Sequence, residues 1–107
     1  MEVDIHDYEK RLKQFINGLN ELDEVNRDDI LKFSKYLFAE GLSKGRIGKY
    51  IWILKSLVRI AGRELRNCNK EDIIEVVSKI EANENWSDST KEECKITLRK
   101  FFKWLRN

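Results

Sequence analysis

The chain has 107 residues, of which 41% are hydrophobic and 37% are charged, and it carries no proline. This length predicts one domain with a single modest core, and the lack of proline favours helices, because proline breaks helix interiors. The sequence has no apolar run of about 18 residues that would predict a transmembrane helix, and the acidic start Met1-Glu2-Val3-Asp4 is unlike a signal peptide.

Hydrophobic spacing predicts a first helix over about residues 5–18 and a second helix that starts after Asn26. Asp4 and Asn26 are of residue types that cap helix starts by accepting a hydrogen bond from a free backbone N–H. Gly41 fits the left-handed conformation that often ends a helix. Apolar side chains three or four residues apart define the predicted buried faces: Ile5, Tyr8, Leu12, Phe15, Ile16 and Leu19 on the first helix, and Ile30, Phe33, Tyr36, Leu37 and Phe38 on the second.

Three more helices follow by the same reasoning, and no stretch alternates between apolar and polar residues as a strand does. Gly45 and Gly48 are unfavourable in the first turns of the third helix, and either close packing or close approach of the backbone to a phosphate would explain them. Asp72 makes a variant of the capping box at the start of the fourth helix. The predicted bounds and N-caps are 44–61 after Ser43, 70–82 after Asn69, and 88–106 after Ser87.

The second half of the chain repeats the first. Leu42–Arg46 corresponds to Trp86–Thr90 at an offset of 44 residues, and Asn26–Ile30 corresponds to Asn69–Ile73 at an offset of 43. Each copy is predicted to be a helical hairpin whose second helix has a basic face. Because two copies are too few for a solenoid, we expect a compact all-α bundle of about five helices, built as two hairpins plus an N-terminal helix.

Residues with catalytic or metal-binding potential are sparse. His6 is the only histidine, and Cys68 and Cys94 lack metal-ligand spacing. We expect both thiols to be reduced and structural in a cytoplasmic protein, with Cys94 in the core. Without a nucleophile–histidine set or a glycine-rich phosphate loop, the chain is predicted to have no catalytic residues, metal or cofactor of its own.

Basic charge is concentrated on two helices. Residues 41–70 carry eight basic side chains and one acidic one, a net charge of +7, whereas residues 1–40 have a net charge of −4. Such clustering is the electrostatic footprint of a polyanion partner. On the fifth helix only Glu92 is placed to pair with Lys95. The fifth helix carries a basic ridge with one member every four residues: Lys91, Lys95, Arg99 and Lys103.

The starts of the third and fifth helices combine serine caps, free backbone N–H groups and cations. This combination binds phosphates, although plain helix capping explains Ser43 and Ser87 equally well. Trp52, Trp86 and Trp104 are predicted to be packing residues rather than platforms for base stacking.

Several short motifs occur in one order along residues 5–106. They are Tyr8-x3-Leu12-x2-Phe15; Asp29-Ile30-x2-Phe33-x2-Tyr36-Leu37; Gly41-Leu42-Ser43-x2-Arg46-Ile47-x2-Tyr50-x3-Leu54-Lys55; Glu71-Asp72-Ile73; Trp86-Ser87-x2-Thr90-Lys91; and Leu98-Arg99-Lys100-Phe101-Phe102-Lys103-Trp104-Leu105. In this order they resemble the N-terminal core-binding domain of tyrosine recombinases (phage integrases), with the later motifs most similar to archaeal integrases. Arg46 stands where that family usually has threonine.

The resemblance implies a SAM-like bundle that forms one half of a clamp around double-stranded DNA, alongside other recombinase protomers on the DNA. The family's catalytic Arg, Lys, His and Tyr belong to a second domain that is absent from this sequence, so we expect no strand cleavage by this chain alone. The implied DNA-binding residues, with Arg99 added from the basic ridge, are Ser43, Lys44, Arg46, Lys49, Ser87, Thr90, Lys91, Lys95 and Arg99.

A helical protein–protein interaction (adaptor) domain is the alternative, because such bundles share this size and helix content. An adaptor would show exposed apolar patches or paired acidic and basic faces, and it would bind DNA weakly even at low salt.

Overall fold

A computed structural model of the protein describes residues 10 and 12–107, and all regular structure within them is helical. The radius of gyration, 13.7 Å, is close to the roughly 13 Å of a compact domain of about 100 residues. The prediction of an all-α bundle of about five helices is therefore confirmed. The helices are α1 (Lys13–Gly18), α2 (Glu24–Ala39), α3 (Lys44–Ala61), α4 (Lys70–Glu81) and α5 (Asp88–Leu105), with 3₁₀ turns at Leu19–Glu21 and Leu65–Asn67.

Only the last part of the predicted first helix belongs to the described residues. The predicted cap Asp4 and the lone histidine, His6, lie outside them. Leu12 and Leu19, at the two ends of α1, are buried as expected, whereas Phe15 is 43% exposed. The short α1 is thus anchored at its ends more than along its length.

Gly48 allows α1 to approach α3. A Cβ atom added at Gly48 would lie 2.6 Å from Cε2 of Phe15, whereas a Cβ at Gly45 would meet no atom within 4 Å. Of the two explanations for these glycines, close packing therefore applies to Gly48. Gly45 faces open space, so close packing does not explain it.

The start of α2 differs from the prediction by three residues. Asp23, not Asn26, is the N-cap, and its carboxylate accepts a 2.9 Å hydrogen bond from the backbone N–H of Asn26. Asn26 is 1% exposed, its Nδ2 donates to the carbonyl of Arg63 at 3.1 Å, and its Oδ1 accepts from the N–H of Leu65 at 2.9 Å. The predicted cap at Asn26 was wrong because this side chain binds the segment between α3 and α4, which is the linker between the hairpins α2–α3 and α4–α5. An equally good capping residue, Asp23, stands three positions earlier.

The other three predicted N-caps are confirmed. Ser43 Oγ accepts a bond from the N–H of Arg46, and Ser87 Oγ accepts one from the N–H of Thr90. Asn69 forms a full capping box with Asp72. At the other end of α3, Gly62 adopts the left-handed conformation, with φ of 66°. Local sequence signals therefore determine most helix ends in both hairpins.

The core lies between the hairpins α2–α3 and α4–α5, with α3 in contact with every other helix. Phe33 of α2 and Phe101 of α5 are fully buried, and their rings meet edge to face with centroids 5.2 Å apart. Cys94 is also fully buried, as predicted, and Cys68 is 3% exposed. Burial raises the pKa of both thiols, so they stay protonated and poorly reactive near neutral pH.

The linker between the hairpins is fastened by a charged pair. Both terminal oxygens of Asp29, which is 2% exposed, accept hydrogen bonds from Arg66, at 2.6 and 2.9 Å. The hydrogen bonds and charge of Asp29 raise the pKa of Arg66. From the end of α5, Arg106 donates to the carbonyl of Cys68. These contacts tie the linker to both hairpins.

Candidate nucleic-acid interface

The start of α3 is open to solvent. Ser43, Lys44 and Arg46 are all exposed, and the space above Gly45 is empty to 4 Å. The first N–H groups of a helix have no partner within the helix, and they lie at the positive end of its dipole. An anion can therefore approach this helix start directly.

The cations at this helix start are unneutralised within the described part of the chain. Neither Lys44 nor Arg46 has a carboxylate within 4.0 Å there. Their positive charge is available to a ligand without breaking an existing ion pair.

Lys49, one turn further along α3, is paired. Its Nζ lies 2.7 Å from Glu93 on α5, and both side chains are about half exposed. The pair borders a groove of about 310 Å³ between α3 and α5 that Arg46 also lines. Ile96 lines the same groove and is 45% exposed. The first two turns of α3 thus end at a mixed polar and apolar groove.

The predicted residues on α5 face elsewhere. Lys95 Nζ lies 2.7 Å from Glu81 and 3.4 Å from Glu92, and Lys91 donates to the carbonyl of Glu81 at 2.9 Å. Glu81 is the last residue of α4. Positions 93 and 95 are about 200° apart around a helix, so the lysines that contact α4 lie on the flank of α5 opposite to the one that meets Lys49. The structure does not bring the two predicted sets together.

These contacts shift the ionisation of the pair at the end of α4. The hydrogen bond from Lys95, with its charge, lowers the pKa of Glu81, and the same hydrogen bond raises the pKa of Lys95. Glu92 pairs with Lys95 as expected from the fifth helix, and a second carboxylate, Glu81, comes from another helix, where spacing along one helix could not identify it. Lys91 and Lys95 therefore stabilise the turn between α4 and α5.

The hydroxyl groups at the start of α5 form hydrogen bonds within the helix start itself. Ser87 caps the helix, and its Oγ lies 3.0 Å from Oγ1 of Thr90. Further along the basic ridge, Arg99 and Lys103 are exposed, and no carboxylate in the described residues pairs with either. Within the basic ridge, Arg99 and Lys103 are therefore the two members available to bind an anion.

Most of the basic charge in residues 41–70 is already paired. Five of the eight cations there form ion pairs with acidic residues, all of them on other helices or turns or across the linker, which leaves Lys44, Arg46 and Lys70. The pairs are Lys49 with Glu93, Lys55 and Arg59 with Glu21, Arg63 with Asp72, and Arg66 with Asp29. The net charge counted along the sequence therefore overstates the positive charge of the surface.

The tryptophans behave differently from one another. Trp104 packs on the core, with its ring 5.3 Å from that of Phe33, as predicted. Trp52 is 47% exposed, and its ring lies 6.3 Å from that of the half-buried Trp86. Trp52 and Ile96 occupy equivalent positions at the offset of 44, and both interrupt the polar faces of their helices. That signal was present in the sequence. Of the two residues, Ile96 lines the groove between α3 and α5.

Within residues 10 and 12–107 no group of three or more His, Cys, Asp or Glu side chains is arranged to hold a metal ion. None of the helices in the same residues combines the length and the apolar character that a membrane span requires.

Comparison with known proteins adds no identification. No protein-family model, no curated protein and no solved structure matches the chain.

Proposed function

We propose that this chain is a DNA-binding module of a site-specific tyrosine recombinase or integrase, one half of a clamp around duplex DNA in DNA integration and recombination. The ordered motifs over residues 5–106 support this proposal, and the all-α bundle of two hairpins is the architecture that the resemblance implies. In this proposal other recombinase protomers share the DNA, and strand cleavage belongs to a separate catalytic domain.

The observation that carries the proposal is the open, cationic start of α3. Ser43 caps a helix whose first turn presents free N–H groups, and Lys44 and Arg46 stand beside it without carboxylate partners in the described residues. Such a helix start suits a phosphate of the DNA backbone. Lys49 can join this contact, because an exposed ion pair such as Lys49–Glu93 contributes little and can be exchanged for a phosphate.

The structure narrows the proposed contact surface. Ser87 and Thr90 bind each other, and Lys91 and Lys95 bind the end of α4. The proposed interface therefore rests on the start of α3, and Arg99 lies on a different flank of the bundle.

The test is a titration of a fluorescent duplex of about 20 base pairs at several salt concentrations. We expect the double variant Lys44→Gln with Arg46→Gln to bind more weakly, and the slope of log K against log salt to fall by about 2, because two phosphate contacts are lost. The matched control, Lys32→Gln with Lys79→Gln, removes two exposed cations from α2 and α4 and should leave the slope unchanged. Equal slopes in the two variants would remove α3 from the interface.

A protein–protein adaptor is the second candidate, and two observations favour it. Five of eight cations in residues 41–70 are paired with acids. In addition, Ile96 exposes apolar surface in the groove between α3 and α5, and Trp52 exposes apolar surface on α3. Absence of duplex binding at low salt in the same titration would select this candidate.

A further inference from the structure

An apolar groove runs between α4 and α5, on the flank of α5 away from the start of α3. The groove has a volume of about 470 Å³, and its apolar floor is formed by Ile73, Val77, Leu98 and Phe102. The apolar surface continues over α4 to Ile74, which at 56% is the most exposed large hydrophobic side chain of the described residues. Continuous exposed apolar surface of this kind marks binding sites more often than ordinary protein surface.

The charges around this groove are asymmetric. At one end the single cation Lys95 pairs with two carboxylates, those of Glu81 and Glu92, so this end keeps an excess of negative charge. Arg99 lines the groove and has no carboxylate partner in the part of the chain that the structure describes. Next to Phe102, which lines the groove, the guanidinium of Arg106 lies 4.7 Å from the centroid of the Phe102 ring and donates to the carbonyl of Cys68, and no carboxylate of the described residues pairs with it. The uncompensated positive charge therefore lies at Arg99 and Arg106, away from the acidic end at Glu81 and Glu92.

The shape of the groove suits a helix. Glu81 at the end of α4 meets Lys95 near the start of α5, and Ile73 near the start of α4 shares the groove with Phe102 near the end of α5. The two helices are thus antiparallel neighbours, and a third helix can lie along the groove between them. No strand edge occurs in the described residues that could bind an extended peptide by strand addition.

From these features we propose that the groove between α4 and α5 binds an amphipathic helix of a partner protein, with apolar residues spaced by three or four facing the floor and acidic residues facing Arg99 and Arg106. Helix-in-groove recognition uses this spacing, and complementary charge sets the orientation and excludes basic partners. The proposal goes beyond DNA binding and does not depend on it, because the groove and the start of α3 share no residue.

The probe is a fluorescein-labelled helical peptide of about five turns, or about 18 residues, with leucines on one face and glutamates beside them. Its twin carries lysine in place of every glutamate. We expect the 107-residue chain to bind the acidic peptide about ten-fold more tightly than the basic twin in an anisotropy titration. Amide shifts in NMR spectra of the labelled protein should then be concentrated on α4 and α5.

Two variants of similar exposure locate the site. Ile74→Glu places a carboxylate on the apolar surface and should weaken the acidic peptide by about ten-fold or more. Ile96→Glu, on the other flank of α5, should leave its affinity unchanged. Arg99→Glu should narrow or reverse the preference between the twin peptides, and circular dichroism checks that each variant is folded.

Five results would overturn the proposal. The first four are equal affinity for the twin peptides, no binding of either, an equal loss with Ile96→Glu, and amide shifts of the same residues on addition of duplex DNA. The fifth is a dimer in sedimentation that Ile74→Glu abolishes, which would assign the groove to a second copy of this chain instead. If the duplex fails to bind while the acidic peptide binds as described, the DNA proposal fails and the groove proposal stands.

Discussion

The starts of α3 and α5 are locally alike and differ in their surroundings. Each begins after a serine that accepts a hydrogen bond from the N–H three residues on. Lys44 and Arg46 near the first start have no carboxylate partner in the described residues, whereas Lys91 and Lys95 near the second are bound to the end of α4. A repeated motif therefore reproduces the cap but not the availability of the cations, because their partners come from other helices.

The starts of α2 and α4 likewise have corresponding residues in different surroundings. Asn26 and Asn69 correspond in the repeat, but Asn69 caps α4 on an exposed surface and Asn26 is buried inside the first turn of α2. The four predictions below test how far the two copies have become different, beginning with this pair.

Asn26→Ala should cost about 3 kcal/mol of unfolding free energy, because it leaves the N–H of Leu65 and the carbonyl of Arg63 without their buried partner. Asn69→Ala should cost only about 1 kcal/mol, the usual loss for an exposed cap. Urea unfolding measures both. Equal losses would mean that Asn26 does no more than a cap residue does.

Ser43→Ala and Ser87→Ala should each cost about 1 kcal/mol. Both serines are exposed and make the same capping bond, so the two losses should be similar in urea unfolding. Exposed Ser89→Ala on α5 is the control and should change stability little. A loss at only one of the two caps would contradict the local equivalence of the two helix starts.

Gly45→Ala should stabilise the chain by about 0.5 kcal/mol, because alanine favours the helix and meets open space. Gly48→Ala gains the same preference but must displace the ring of Phe15, so it should be the less stable of the two variants. If a phosphate approaches the first turn of α3 closely, Gly45→Ala should also weaken duplex binding. Equal stabilities would show that Phe15 moves freely.

Lys95→Met should have the smallest effect, and the effect should depend on pH. The pKa of Glu81 is lowered from 4.5, so its share of the stability is present above that value and is lost as the pH falls through the lowered pKa. The pKa of Lys95 is raised from 10.5, so its share is present below that value and is lost as the pH rises through the raised pKa.

The difference in urea midpoint between Lys95→Met and the original chain should therefore be constant from about pH 6 to about pH 9 and shrink below about pH 4. Arg46→Met is the control, since no carboxylate in the described residues pairs with Arg46. A difference that persists at low pH would show that packing of the Lys95 chain, rather than its charge, is responsible.

The sequence was sufficient for features that depend on near neighbours. Ser43, Asn69 and Ser87 were identified as caps because the accepting side chain and the donating N–H are three residues apart. The buried stripe that includes Phe33 and Phe101 followed from helical spacing. These features account for the fold class and for most helix ends.

Features that depend on distant partners were not predictable in the same way. Lys95 binds Glu81, fourteen positions away and on another helix, so a rule restricted to one helix face could not find the pair. The ion pair that holds the linker was unpredictable for the same reason, because Arg66 and Asp29 are 37 positions apart. For the candidate site, the sequence was sufficient to identify the start of α3. Only the tertiary structure reveals that the predicted residues of α5 lie on a different flank of the bundle.

The pair Lys49–Glu93 has a consequence for how such a bundle can arise. Its two members occupy equivalent positions of the repeat, 44 residues apart, and they touch each other. If two identical hairpins assembled with this geometry, lysine would face lysine or glutamate would face glutamate, and the contact would be repulsive. An attractive ion pair at this place requires two hairpins of different sequence, so divergence of the two copies gives this fold a contact that a homodimer of identical single hairpins cannot have.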